Sequence, residues 1–429
     1  MDNSPAETIE TCRERQLETV RIPTWWTLGG LIGGLTVGLL LARGPWLDEV
    51  LTVSAPLGAL WLRALQVTIV PLVAGLLVVG ITQMALAARA GAAARRMLGW
   101  VAAVLLFSAV SSALLTPLLL ALFPAPEEAA GVLFAAGERQ EVPGLGAFIE
   151  SLVAPNIVAA AAETAMLPLT LFIAAFALAV ARLPAGQRET LFGFFRALAN
   201  AMLLIIGWVL WAAPIGVFAL ALGVGAASGG AAFTTLGHYI LIVVAAGTVI
   251  FLAGYLLAWF AGGVGPARFA RALIPAHTVA LSTQSSLASL PAMLDTSQRL
   301  GLREQTAEFV LPLAVAIFRA TSPAMNLAVA IYVAHLAGVE LDPAALAAGV
   351  AVAIVIALGS VSLPGSISFV ISVGPIALAM GVPIEPLALL VAVEMMPDLM
   401  RTLGNVTMDV AVTTVVDRGV EEKAEPLQT

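Results

Sequence analysis

Apolar runs of about twenty residues recur along almost the whole chain, and each is long enough to cross a bilayer as a helix. The mean hydropathy is +1.00, with 60% hydrophobic and only 11% charged residues. Backbone polar groups inside a membrane must bond to one another, and a helix achieves this within one segment. The runs are rich in Leu, Ala and Val, without the alternation typical of membrane barrels. The sequence therefore predicts an all-α, multi-pass membrane protein.

Charged residues in the connections between these runs predict the orientation. Arginines cluster before the first run, at Arg95 and Arg96, and again after the sixth run, whereas the connection at 125–150 is acidic. Because cytoplasmic loops carry an excess of Lys and Arg, both termini are expected in the cytoplasm, with the protein in the cytoplasmic (inner) membrane. The first six membrane helices are predicted at 24–43, 51–80, 97–124, 158–182, 190–223 and 232–262.

After the sixth run the apolar segments are interrupted by short polar centres, and this arrangement occurs twice. Segment 266–298 holds STQSSLAS between two short apolar arms, and segment 343–382 holds GSVSLPGS. Each is followed by a long apolar stretch, predicted as one helix at 303–338 and another at 384–417. Paired interrupted segments are typical of transporter binding sites, and they predict two re-entrant helical hairpins. Two ordinary interfacial loops are the alternative interpretation.

Five polar residues are regularly spaced on the last of these stretches. They are Glu394, Asp398, Arg401, Asn405 and Asp409, and such spacings put them on one face of a helix. A charge at the centre of a membrane helix costs at least about 2.5–3.5 kcal/mol on insertion scales, so this face is expected to meet water, protein or a ligand. An arginine suits a carboxylate, and an aspartate one turn away suits an ammonium group. A salt bridge that joins two helices is the structural alternative.

Five motifs spread along the chain carry a family resemblance. They are PLGALWLRALQVTIVPLVAGLLVVGI (56–81), APIGVFAL (213–220), SSLASLP (285–291), GSVSLPG (359–365) and DLMRTLGNVTMD (398–409). Together they resemble the dicarboxylate/amino acid:cation symporter family, which includes the glutamate transporters, and the last motif is the most specific. The resemblance implies eight transmembrane helices plus two re-entrant helical hairpins, inverted repeats, and an elevator-type fold assembled as a homotrimer.

The resemblance also implies roles for individual residues. Arg401 would bind the side-chain carboxylate of the substrate and Asp398 its amino group, which favours aspartate or glutamate over succinate or malate. Asp409 would correspond to a sodium ligand. The other residues expected to contact the substrate are Thr402, Asn405, Ser285, Ser286, Ser322, Leu363, Pro364 and Gly365.

The chain departs from the family at the seventh helix. The usual Asn-Met-Asp-Gly-Thr is replaced by Phe318-Arg319-Ala320-Thr321-Ser322, so phenyl and methyl groups stand where the family has sodium-ligating amide and carboxylate groups. Hard cations need oxygen ligands, and the replacement argues against sodium coupling. We hypothesise that the guanidinium of Arg319 takes the place of a bound sodium ion and neutralises Asp409. Arg319 could instead pair elsewhere, or supply a positive charge that relatives place in a hairpin.

The predicted organisation has four parts. They are a cytoplasmic tail at 1–22, helices 1–6 at 23–262, the substrate-binding core with both hairpins and helices 7 and 8 at 263–417, and a cytoplasmic tail at 418–429. Within the second part, helices 1, 2, 4 and 5 are expected to form a scaffold, while helices 3 and 6 join the substrate-binding core in the transport domain.

These patterns predict a secondary active transporter for an acidic amino acid or a dicarboxylate, one that does not use the usual sodium sites. If sodium is not used, the candidate coupling ion is a proton, with Glu394 as its candidate carrier and His277 and His335 as further candidates; an uncoupled carrier or an exchanger is the alternative. A sodium-coupled C4-dicarboxylate symporter and a transport-inactive relative that binds substrate are the alternatives. The sequence has no phosphate-binding loop or zinc-type histidine spacing, so neither an enzyme nor an organic cofactor is expected. Expected partners are a small anionic substrate, membrane lipid and further copies of the chain, but no nucleic acid.

Overall fold

The computed structural model describes residues 24–424 except for 43, 89–90, 127–128, 131–152, 164, 229–230 and 360–364. The described part of the chain contains seventeen helices, labelled α1–α17, and no strand, which confirms the all-α prediction. The tail at 1–22, the last five residues and most of the acidic connection lie outside the described residues.

Nine helices make up the N-terminal part. They are α1 Thr24–Leu41, α2 Leu47–Gln66, α3 Ile69–Ala87, α4 Ala92–Leu122, α5 Ile157–Ala162, α6 Met166–Val180, α7 Ala185–Trp211, α8 Ala213–Ser228 and α9 Ala231–Phe260. Five apolar stretches of the described residues, each 27 to 40 residues long, could cross a membrane: Leu47–Leu86, Ala92–Leu122, Ala185–Trp211, Ala231–Phe260 and Glu304–Ala337. The chain is a multi-pass membrane protein.

The C-terminal part uses one arrangement twice, a pair of packed helices followed by a broken helix, where the sequence predicts a hairpin followed by one continuous helix. The first tip spans 284–289, where Gln284 adopts a left-handed conformation with φ 51°. The second tip, 360–364, lies outside the described residues. The helices are α10 Pro266–Thr283, α11 Leu290–Leu300, α12 Glu304–Ile317, α13 Ser322–Ala337, α14 Pro343–Gly359, α15 Gly365–Ala379, α16 Leu387–Leu390 and α17 Met395–Ala424.

Five of the helices predicted as continuous are interrupted, and a proline stands in the first turn after each break. A proline lacks an N–H, and its ring would collide with the carbonyl four residues earlier, but the first turn of a helix tolerates it. The predicted continuity is therefore wrong at these points, because hydropathy does not report the breaks. The prolines are Pro71 in α3, Pro168 in α6, Pro214 in α8, Pro323 in α13 and Pro397 in α17.

Glycines four residues apart bring α1 into close contact with α8. A Cβ atom added to Gly34 would lie 2.5 Å from the carbonyl oxygen of Phe218. One added to Gly30 or Gly38 would also collide with the α8 backbone. Small residues of this kind let membrane helices pack closely where the hydrophobic effect gives no drive for association.

Buried apolar residues form two clusters. One consists mainly of residues from α1–α3, α6–α8 and α13–α16. The other consists mainly of residues from α4, α10–α12 and α17, while α9 contributes to both. Helix α17 packs along α9 and also contacts α10, α11 and α12. The polar face of α17 is thereby placed next to the break between α12 and α13.

Candidate functional site

Helix α17 turns a polar face into the protein interior. Asp398, Arg401, Asn405 and Asp409 are each between 1% and 4% exposed. Glu394, in the turn before α17, is 0% exposed. The N–H of Asp398 donates to the carbonyl of Glu394 at 2.9 Å, so the helical path continues back to that residue although α17 begins at Met395. The five residues share one buried face, as their spacing predicts.

Three side chains surround the guanidinium of Arg401. Its Nη2 donates to Glu394 Oε1 at 2.5 Å, and its Nη1 donates to Asn326 Oδ1 at 2.7 Å. Its Nε lies 3.3 Å from Asp398 Oδ1. Two carboxylates of the α17 region therefore share one guanidinium, while Asn326 links the guanidinium to α13.

Asn405 fixes α17 to the break between α12 and α13. Its Oδ1 accepts from the backbone N–H of Thr321 at 3.0 Å and lies 2.9 Å from the hydroxyl of the same residue. Non-helical backbone inside a membrane protein needs such partners, because its polar groups are not satisfied within a helix. Thr402 lies on the same helix and donates its hydroxyl to the carbonyl of Asp398 at 2.9 Å.

Arg319 lies in this break, and its side chain reaches the tip of the first hairpin. Its Nη1 donates to Ser286 Oγ at 3.3 Å, while its Nη2 has no hydrogen-bond partner. Both carboxylate oxygens of Asp409 also have no hydrogen-bond partner. Asp409 is the anion that acts most strongly on Arg319, yet the two groups form no ion pair within 4.0 Å. They interact through space, and the sodium-replacing role of Arg319 stays a prediction.

Of the remaining predicted residues, those that the structure describes lie at the first hairpin tip and at the starts of α13 and α15. Ser285 Oγ accepts from the N–H of Ala288 at 3.2 Å and so helps to close the first tip. Ser322 is 3% exposed and is the first residue of α13. Leu363 and Pro364 lie outside the described residues, and Gly365 is the first residue of α15.

The structure adds three residues to the predicted set. Thr321 and Asn326 form the hydrogen bonds already described, and Tyr239 of α9 interacts electrostatically with Glu394, although its hydroxyl has no hydrogen-bond partner of normal geometry. The position of Asn326 as an amide in the middle of an apolar helix is the sequence signal that identifies it. Tyr239 has no such signal, since it is one aromatic residue in an apolar run.

Among the described residues, the two histidine candidates for a proton carrier form no hydrogen bond with the shared guanidinium. His277 Nε2 is 2.8 Å from Thr407 Oγ1, and its ring packs near Phe251. His335 is exposed near the end of α13. Neither histidine forms an ion pair with an acid of the described residues.

The break between α12 and α13 lacks the carboxylate and amide side chains expected of the family's sodium site. Phe318 and Ala320 supply no side-chain oxygen, and Arg319 brings a positive charge towards Asp409. No group of three His, Cys, Asp or Glu residues in the described chain could hold a metal ion. A hard cation needs several oxygen ligands, so transport without sodium stays the prediction made from the sequence.

Comparisons with known proteins agree with the motifs. Residues 24–419 match the sodium:dicarboxylate symporter family. The chain is similar to the proton/glutamate-aspartate symporter of Escherichia coli (strain K12), with 27% identity over 413 residues and 91% of each chain covered. It is also similar to the proton/sodium-glutamate symport protein of Bacillus caldotenax, with 26% identity over 398 residues, 89% of this chain and 90% of that protein. The human neutral amino acid transporter B(0) is 26% identical over 450 residues, which cover 93% of this chain and 81% of the relative. The chain belongs to the sodium:dicarboxylate symporter family.

Proposed function

We propose that this protein is a secondary symporter that moves aspartate, glutamate or a related dicarboxylate across the cytoplasmic membrane. The observation that carries the proposal is Arg401, a guanidinium only 4% exposed inside an apolar protein, with Asp398 one turn away. Ionisable residues inside a membrane are expensive and mark substrate or ion pathways. The E. coli and Bacillus relatives are named as glutamate symporters, which supports an acidic substrate.

An acidic amino acid carries two carboxylates and one ammonium group, and the site has complementary chemistry. Arg401 would bind the distal carboxylate through its planar guanidinium, and Asp398 would accept hydrogen bonds from the ammonium group. The two hairpin tips would close over the bound substrate. The other residues proposed to contact it are Thr402, Asn405, Ser322, Ser285, Ser286, Leu363, Pro364 and Gly365.

The proposal makes transport independent of sodium. Arg319 supplies a fixed positive charge to the neighbourhood of Asp409, where a bound cation would otherwise be needed to compensate the buried carboxylate. A proton is then the coupling ion; the E. coli relative is named for the proton alone, and the Bacillus relative is named for proton and sodium together.

An elevator movement belongs to the same proposal. Helix α4 shares an apolar cluster with α10–α12 and α17, and α9 contributes to this cluster as well as to the other one, which supports a transport domain that includes the predicted helices 3 and 6. This domain would move against a scaffold of the predicted helices 1, 2, 4 and 5, in a homotrimer with cytoplasmic termini.

Uptake of labelled aspartate and glutamate into proteoliposomes tests the proposal. We expect saturable uptake that is driven by an inward proton gradient, inhibited by excess unlabelled substrate, and equal in sodium and choline buffers. Uptake that requires sodium and prefers succinate would support a sodium-coupled C4-dicarboxylate symporter instead. Binding without uptake would indicate a transport-inactive relative, and uptake restricted to neutral amino acids would contradict the role of Arg401.

A further inference from the structure

Glu394 is a buried acid whose pairing is incomplete. One carboxylate oxygen accepts from Arg401 at 2.5 Å, while Oε2 has no hydrogen-bond partner and the residue is 0% exposed. Most buried polar atoms in proteins are hydrogen-bonded, because an unbonded one costs free energy. Glu394 therefore depends on a single strong partner to remain ionised.

The charges around Glu394 do not balance. Helix α17 contributes Arg401 and Asp398, α9 contributes the hydroxyl of Tyr239, and α13 contributes the uncharged amide of Asn326. Among the described residues, Arg401 is the cation that forms an ion pair with Glu394, and it also forms one with Asp398. One guanidinium thus serves two carboxylates, and the cluster carries one excess negative charge when both are ionised.

A substrate carboxylate would compete with Glu394 for Arg401. A guanidinium binds a carboxylate best through two parallel N–H bonds, yet each nitrogen of Arg401 already faces an oxygen of the protein. A two-point contact that uses the Nη2 N–H now given to Glu394 therefore displaces the Glu394 carboxylate from the guanidinium. Once withdrawn, Glu394 would be a buried carboxylate without a cation, and such a group favours the protonated form.

We propose that Glu394 couples one proton to substrate binding: the substrate carboxylate replaces it at Arg401, and the released carboxylate takes up a proton. This inference rests on the proposed function, because it needs a substrate with a carboxylate. An O–H bond forms between a proton from water and a Glu394 oxygen, the hydrogen bond of Arg401 passes to the substrate, and no bond of the substrate breaks.

The exchange also fixes the charge of the loaded carrier. An acidic amino acid adds one negative charge and the proton adds one positive charge, so the empty and loaded sites have the same net charge. Uptake should then respond to a pH gradient and not to the membrane potential. The loaded and the empty carrier have the same charge, so one transport cycle moves no net charge across the membrane.

Proton uptake during binding tests the inference directly. Purified protein in weakly buffered detergent solution with a pH-indicator dye is mixed with aspartate, and bound aspartate is measured by dialysis on the same sample. The wild type is expected to take up one proton per bound aspartate, and Glu394→Gln none, whatever its affinity. Glu394→Asp should restore uptake. Glu385→Gln, which removes an exposed acid nine residues earlier, is the matched control and should keep the wild-type ratio.

The outcomes separate this inference from the proposed function. A wild-type proton ratio in Glu394→Gln would overturn the role of Glu394, and so would aspartate binding by the wild type without proton uptake, even if the variant fails to fold. A wild type that binds no acidic amino acid or dicarboxylate would refute the proposed function instead. In proteoliposomes, uptake driven by a pH gradient and unchanged by a potassium diffusion potential supports the exchange, and uptake driven by the potential alone contradicts it.

Discussion

Replacing Arg319 with methionine tests the role of the break between α12 and α13. The change keeps an unbranched side chain but removes the cation that acts on Asp409. Asp409 is 1% exposed and neither of its carboxylate oxygens has a hydrogen-bond partner, so its charge would remain without compensation. We expect Arg319→Met to lower both the free energy of unfolding and sodium-independent uptake.

The distance between the two groups limits the size of the effect. Opposite unit charges 4 Å apart attract by about 4 kcal/mol at an effective dielectric constant near 20, and Arg319 and Asp409 are farther apart than that. A coupling energy of about 2 kcal/mol is therefore expected, or roughly a thirtyfold change in an equilibrium constant. Arg319→Met and Asp409→Asn should each destabilise the protein, and the double variant should be more stable than the sum of the two effects predicts.

Unfolding in mixed detergent and SDS micelles provides the free energies for this double-mutant cycle. The exposed pair Arg299 and Asp295, whose side chains are 56% and 46% exposed, is the matched control, and its coupling should stay below about 0.5 kcal/mol. Uptake is measured in parallel in sodium and in choline buffers. Additive effects of Arg319→Met and Asp409→Asn, together with unchanged sodium-independent uptake in Arg319→Met, would refute the reasoning.

Other substitutions test single contacts near the site and between α1 and α8. Asn405→Ala leaves the buried N–H of Thr321 without its acceptor, and we expect a loss of about 1–3 kcal/mol in the free energy of unfolding; an unchanged value would contradict the contact. Arg401→Lys keeps the charge but loses the planar guanidinium, so the Kd for aspartate should rise at least about tenfold in a binding assay, and an equal Kd would argue against two-point recognition. Gly38→Val should lower the free energy of unfolding by about 1–3 kcal/mol, because the new Cβ would collide with the α8 backbone. Gly29→Val is the control, since a Cβ there meets nothing within 4 Å. Equal losses in the two variants would contradict the close packing.

The sequence predicts the repeated hairpin units because their signals are local. Polar centres such as STQSSLAS lie between short apolar arms, and the structure places a turn at 284–289 between α10 and α11. The polar face of α17 is also predictable, since helical spacing alone brings Asp398, Arg401 and Asn405 to one side. Both features require only a periodic pattern within a short segment.

The contacts between segments could not be read from the sequence. Arg319 lies opposite Ser286 because the chain unwinds between α12 and α13, and hydropathy on both sides of the break gives no sign of that unwinding. The bond from Glu394 to Arg401 depends on the turn that precedes α17. Asn326 reaches the same guanidinium from another helix, and residues distant in sequence are placed together only by tertiary packing.

Equilibrium binding of labelled aspartate to purified protein tests the central claim most directly. Arg401→Gln is compared with the wild type and with Arg299→Gln, which removes an exposed arginine at the end of α11. Loss of two charge-assisted hydrogen bonds at about 1.5 kcal/mol each predicts that Arg401→Gln weakens binding by at least about 100-fold, while Arg299→Gln binds like the wild type. Aspartate binding by Arg401→Gln at wild-type affinity would show that the buried guanidinium does not hold the substrate.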